Sequence, residues 1–487
     1  MRTILALILI VLVSAAALFF TDHPGTVTLI WQGWRVDTSV AVLAAATALI
    51  ALILWLGFAT LAWLIAAPRR LARRRREGRR LQGYRALTDG LVAIAAGDTR
   101  SAERLRLRAE RHFQASRLDV PPLTRLLAAQ AALLRGDHPE AHSQFTRMLD
   151  SPETEFLGLR GLIVQALKAG DDATALKLTQ RANELRPATA WVLQSQLALE
   201  TRAHDWRGAK RTLDAAIRRK AVTPEQGARH HVALLLARAA EASHEGRSGE
   251  ALRAAATAHG LDAAFAPAAA AYAALLGDQG RAGRALKVIE AAWSRSGHPA
   301  LAQLYDRLLD AETPTIRLKR FERLVELRAG DPESHLAAAA VALSARLWGE
   351  ARRHLDAAGA AGPGPWPQRL CRLMAELEDG EHQDAAAARR WLERAHQSPP
   401  DPVWVCDVCG AEAARWEPLC PNCHSFDTLG WRVPDRAAPR VVAEPGRRSP
   451  AEAAAMLELS HALVLTAGPS AAAAGKAAES ATRESGA

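Results

Sequence analysis

The chain has 487 residues, room for two to four domains, with 49% hydrophobic residues but only 5% aromatic ones. Its formal charge is +10, yet residues 1–80 hold ten Arg against Asp22, Asp37 and Glu77, so the other 407 residues carry only +3. Basicity confined to one short segment argues against a nucleic-acid-binding body, and the alanine-rich remainder points to helices packed through small side chains.

Two apolar runs come first. Residues 4–20 (ILALILIVLVSAAALFF) are all apolar or small, and no charge interrupts Val40 to Ala67. A bilayer core needs about 20 helical residues, with about 17 as the lower limit. The first run is therefore read as a short retained span. A cleaved signal is disfavoured because a second span follows closely and Phe19-Phe20 is a poor cleavage site. Directly after the second run stand Arg69, Arg70, Arg73, Arg74, Arg75, Arg76, Arg79 and Arg80. Such a cluster marks the cytoplasmic flank of a span and can gather anionic lipid. The expected topology is multi-pass in an inner membrane, with both termini and everything from about residue 68 onward in the cytoplasm. The anchor covers 1–68 and the arginine-rich segment 69–83.

From 84 to 398 the chain reads as helix, turn, helix, repeatedly. The turns align at Gly97, Gly136, Gly170, His204, Gly246, Gly280, Arg346 and Gly380, at intervals of 39, 34, 34, 42, 34, 66 and 34. The interval of 66 predicts a degenerate unit near residues 300–332. Five residues after each marker stands Ala, from Ala102 to Ala385, and twelve after it Ala, Met148 or Leu392. Positions seven apart share one helix face, so small residues there let the paired helix approach closely. Asp98, Asp137 and Asp171 can cap the second helices. A period of 34 resembles the tetratricopeptide repeat, whose stacked units present a groove to partner proteins.

Residues 399–436 carry the sharpest chemical signal. Cys406 and Cys409 form one C-x2-C pair, Cys420 and Cys423 another, ten residues apart. Two such turns aim four thiolates at one point, which suits zinc or a single iron; zinc is preferred. Disulfides are disfavoured on the reducing side of a membrane. Trp404, Trp416, Phe426 and Trp431 are candidates for an apolar shell, while His424 reads as a surface residue and Cys371 as a helix core residue. Four thiolates leave no open coordination position, so the site reads as structural. The tail 437–487 reads as largely disordered, with one amphipathic helix expected at 450–466. No P-loop, dinucleotide-binding glycine pattern, G-x-S-x-G or H-E-x-x-H occurs, and His230-His231 shows no carboxylate partner in sequence. The chain is not expected to be an enzyme.

The fold class expected is all-α: two transmembrane helices, a tetratricopeptide-like solenoid and a small rubredoxin-like or zinc-ribbon knuckle. DHPGTVTLIWQGWRVDTSVAVL (22–43), the two spans, the arginine cluster and CDVCG…CPNC…FDTLGWRVP together resemble the HemY-type haem-biosynthesis-associated membrane proteins, in an α-proteobacterial form. That resemblance implies an inner-membrane protein linked to late haem synthesis, and the leading expectation is a scaffold whose partners include haem-pathway enzymes. The charge pattern adds membrane lipids at the arginine segment and no nucleic acid. Two alternatives are an adaptor for a membrane protease, resembling lipopolysaccharide assembly protein B, and a redox protein with a four-cysteine iron site.

Overall fold

A computed structural model describes residues 25–31, 34–116, 120–309 and 312–435. The first expected span and the expected helix at 450–466 lie outside those residues. The chain divides into two compact units: Met1–Ala93 with Arg100–Thr124, and Ile94–Thr99 with Arg125–Ala487.

The first unit begins with an antiparallel hairpin, β1 (Thr26–Trp31) and β2 (Trp34–Ser39), in register from Thr26↔Ser39 to Trp31↔Trp34. Val40 donates its amide to the Gly25 carbonyl at 2.9 Å and turns the chain into α1 (Val40–Ala95). The 56 residues of α1 reach about 84 Å at the usual helical rise. Within it, Val42–Leu61 has mean hydropathy 2.4 and no part of it is buried by protein. Leu54, Trp55 and Phe58 are each more than half exposed. An apolar stretch of this length left bare is the pattern of a helix that crosses a membrane. It is the one helix among the described residues long and apolar enough to do so. The helix continues through the arginine cluster and pairs with α2 (Thr99–Ser116). Ala86, Ala109 and Phe113 make the small core of this hairpin. A Cβ at Gly83 would sit 2.9 Å from the Phe113 ring, so glycine is needed for the close approach.

The second unit is a series of helical hairpins. They are α3 (Leu123–Arg135) with α4 (His138–Met148), α5 (Glu155–Ala169) with α6 (Asp172–Leu185), and α7 (Ala190–Arg202) with α8 (Trp206–Arg218). Next come α9 (Pro224–His244) with α10 (Ser248–Leu261), α11 (Ala266–Asp278) with α12 (Ala282–Trp293), and α13 (Pro299–Leu308) with α14 (Pro314–Leu327). Then follow α15 (Pro332–Ser344) with α16 (Trp348–Leu355), which runs into a π-turn at Asp356–Ala360, and α17 (Gln368–His382) with α18 (Ala385–Gln397). From α4 onward nearly every helix packs on the next, and the first helices of successive hairpins also touch, as in α9–α11, α11–α13, α13–α15 and α15–α17. Each hairpin therefore buries most of its apolar face against its neighbours, which is the logic of a solenoid.

Local chemistry sets the turns. Gly170 ends α5 at φ 75° and returns its amide to the carbonyls of Ala166 and Leu167. Asp171 then accepts from the Thr174 amide to start α6, and Asp137, Asp205 and Asp384 do the same at their helices. His204 and Arg346 take the same left-handed conformation without being glycine. The aligned residues Ala141, Ala175, Ala209, Ala251, Ala285 and Ala351 are fully buried, as are Met148, Ala182, Ala216, Ala258 and Ala292.

Two expectations need amending. The last turn is at Gln383 (φ 54°), not Gly380. Gly380 lies inside α17, where a Cβ would meet the Trp348 ring at 2.6 Å, so this glycine admits an aromatic ring and does not end a helix. In consequence Ala385 is exposed and Leu392 is 53% exposed, whereas Ala387 and Ala395 are buried. The fold is also not purely helical, since a small three-stranded sheet follows α18. The degenerate unit exists as α13 with α14. Where its relatives carry a buried alanine it carries Arg317, whose guanidinium reaches Asp306 at 2.5 Å.

Candidate metal centre

The sheet is built from β3 (Val403–Cys406), β4 (Glu412–Ala413) and β5 (Leu429–Arg432), with β3 central and antiparallel to both neighbours. Its cysteines sit on two equivalent turns. In the first, Gly410 (φ 70°) donates its amide to the Cys406 carbonyl at 3.0 Å; in the second, His424 (φ 54°) donates to the Cys420 carbonyl at 2.9 Å. Cys406 and Cys420 close the matching second bonds to the carbonyls of Ala411 and Ser425. From sequence His424 was expected simply on the surface. Its side chain is exposed, and its backbone does for the second turn what Gly410 does for the first.

All four thiols are buried, and their sulfurs lie within 4.8 Å of one another. Cys406–Cys423 and Cys409–Cys420 are each separated by 3.7 Å. A tetrahedral metal with sulfur at about 2.3 Å requires an edge of about 3.8 Å, so the donor set fits such an ion. Polar groups face the sulfurs: the Val408 amide to Cys406 at 3.4 Å, and Asn422 Nδ2 to Cys409 at 3.5 Å. The hydroxyls of Thr428 and Ser425 lie 3.3 Å from Cys406 and Cys423. Crowding splits the thiols. Hydrogen bonds from Cys420 and Cys423 pull Cys406 far below the usual thiol range, and the same contact with Cys406 pushes Cys420 far up. A cation at the centre would let all four carry negative charge together.

The knuckle is docked on the repeats. Phe426 and Leu419 pack against Leu197, Trp206, Leu213 and Leu234 of α7–α9. His298, the N-cap of α13, stacks on Trp404 with centroids 5.4 Å apart and meets Trp431 at 4.2 Å. Trp416 sits edge-on to Phe265 at 5.3 Å. The four aromatic residues thus divide: Trp404 and Trp416 pack beside the cysteines, Phe426 faces the helices, and Trp431 touches both Trp404, at 5.3 Å, and His298. A polar latch completes the seam. His230 Nδ1 lies 2.8 Å from Asp427 Oδ2, and Arg229 lies 3.6 Å from the same carboxylate. In the sequence His230-His231 shows no carboxylate partner. The partner is 197 residues away, and His231 has a second, looser one in Asp214 at 3.7 Å.

The remaining candidates fall elsewhere. Arg69, Arg70, Arg73, Arg74, Arg75, Arg76, Arg79 and Arg80 lie on α1, far from the cysteines in sequence; Arg76, Arg79 and Arg80 are exposed, and the side chains of the other five lie outside the described residues. Cys371 is buried on α17, where burial pushes its thiol up, and takes no part in the centre.

Fold and site together define a helical-hairpin repeat protein bearing a four-cysteine centre. Residues 25–136 match the family model of the HemY protein N-terminus, so the chain carries a HemY-type N-terminal region, as residues 22–43 led one to expect. The chain is 29% identical over 451 residues to a probable magnetosome protein, Mms48, of Magnetospirillum gryphiswaldense, covering 88% of this chain and 93% of that one. Similar solved structures include MamA (12% identity, 33% of this chain and 92% of that one, TM-score 0.23). Another is a tetratricopeptide repeat protein from Parabacteroides merdae (14% identity, 65% and 99%, TM-score 0.27).

Proposed function

We propose that this protein is a non-catalytic scaffold of an inner membrane, whose cytoplasmic repeats bind partner proteins and whose knuckle is held by structural zinc. The observation that carries this reading is the unbroken passage of α1 from an exposed 20-residue apolar segment into the first repeat hairpin. Such a helix carries the first hairpin on a membrane-crossing segment without a break. The sulfur spacing of 3.7 Å and the closed thiolate set support a structural ion, with zinc the preferred metal. The HemY-type N-terminal region favours enzymes of haem synthesis as partners. The likeness to a probable magnetosome protein fits a scaffold at a membrane equally well.

The test is cross-linking in intact membranes followed by capture of the full-length chain. Recovery of haem-pathway enzymes is expected. Recovery of a protease and lipid-synthesis enzymes without them would overturn the haem assignment and favour the protease-adaptor alternative.

A further inference from the structure

The first repeat hairpin carries a charged face that the anchor and the arginine cluster do not account for. On α2, Ala102, Ala109 and Phe113 are buried against α1. Diametrically opposite, Arg100, Arg104, Leu107, Arg108 and Arg111 are all exposed. These spacings of four, three, one and three residues draw one stripe along the helix. The acids of α2 do not neutralise it, because Glu103 and Glu110 both bond to Arg106 on its flank. None of the four stripe arginines forms an ion pair among the described residues. Among the described residues Arg104 donates to Ser101 Oγ and Arg111 to the Leu107 carbonyl.

The hairpin geometry brings this stripe back toward the anchor. Arg79 of α1 donates to the Ala115 carbonyl at the end of α2 at 3.3 Å. That level is 12 residues, roughly 18 Å of helix, past Ala67, the last residue of the uncharged run. Between them stands Pro68, inside α1. Proline has no N–H, so the continuous helix lacks one main-chain bond where it leaves the apolar segment, which lowers the cost of bending there.

We infer that the α1/α2 hairpin leans over at Pro68 and lays the Arg100–Arg111 stripe on the anionic headgroups of the bilayer that anchors it, with Leu107 at the headgroup boundary. Four uncompensated guanidinium groups and one exposed leucine on a single face complement phosphate-bearing lipid. The inference rests on the membrane-anchored reading above, and the experiment separates the two.

Full-length protein with Leu107→Cys, labelled with an environment-sensitive fluorophore, is reconstituted into vesicles of phosphatidylcholine alone or mixed equally with phosphatidylglycerol. The native cysteines are all buried, so labelling falls on the new one. A blue shift and several-fold slower quenching by acrylamide are expected in the mixed vesicles. Both should vanish at high salt and in the variant that adds Arg100→Gln, Arg104→Gln, Arg108→Gln and Arg111→Gln. Equal signals in the two lipids, or a shift that survives the four substitutions, would overturn the inference while leaving the anchor intact. Protection that needs other membrane proteins would overturn it in favour of an acidic partner. Loss of the chain from vesicles in an alkaline wash would instead defeat the anchor itself.

Discussion

The latch at Asp427 is the most informative place to perturb the seam. Its side chain is 5% exposed and accepts from His230 at 2.8 Å; a hydrogen bond of this kind to a charged group is worth about 1.5–3 kcal/mol. Arg229 adds little, about 0.5 kcal/mol at most, since its side chain is 60% exposed. Asp427 also holds φ 53°, a conformation that costs alanine about 1–2 kcal/mol and glycine almost nothing. Asp427→Gly should therefore weaken docking by about 2 kcal/mol, and Asp427→Ala by about 3 kcal/mol. Asp427→Asn, which tolerates the backbone and keeps an acceptor, should cost least. Read by hydrogen exchange of the segment spanning 424–432 in the full-length protein, the glycine variant should exchange about thirtyfold faster and the alanine variant more than a hundredfold. Unchanged exchange in the alanine variant, or glycine the worse of the two, would refute the latch.

Three further outcomes are expected. At Gly161 a Cβ would lie 2.4 Å from the fully buried Phe145 ring, so Gly161→Ala should cost about 1–2 kcal/mol net of its better helix propensity, seen as a lower Tm. Gln383→Gly should raise Tm, because it relieves φ 54° at the last turn, by about 1 kcal/mol. Burial holds His298 at about 4 against an ordinary 6.5. The folded state keeps this ring neutral while the unfolded chain protonates it, so its contribution is complete above pH 6.5 and is lost as the pH falls toward 4. His298→Asn keeps a capping acceptor for Ala300 and removes the titration, so it should flatten the fall of Tm with acid. His354, likewise held at about 4 by burial, should leave part of the slope in place.

The hairpins were legible because their period is local: a left-handed turn, a cap and a buried alanine recur within one unit. Where Gly380 serves a tertiary contact with Trp348, composition alone misled, since a glycine that ends a helix and one that admits a ring look alike in sequence. The unit with Arg317 escaped alignment because an ion pair replaces the small residue there. The cysteine centre was readable from spacing, and so were the aromatic residues around it. The seam was not. His230 and Asp427 meet across 197 residues, and His298 meets Trp431 only because the solenoid brings α9 and α13 to one face. No periodicity encodes that pairing.

The most direct test is metal analysis of the purified full-length protein together with X-ray absorption at the metal edge. One zinc per chain is expected, with four sulfur neighbours at about 2.3 Å, and Cys409→Ser together with Cys420→Ser should abolish it. A chain free of metal after growth with ample zinc, a nitrogen or oxygen ligand in the first sphere, or redox-active iron would contradict the closed structural centre.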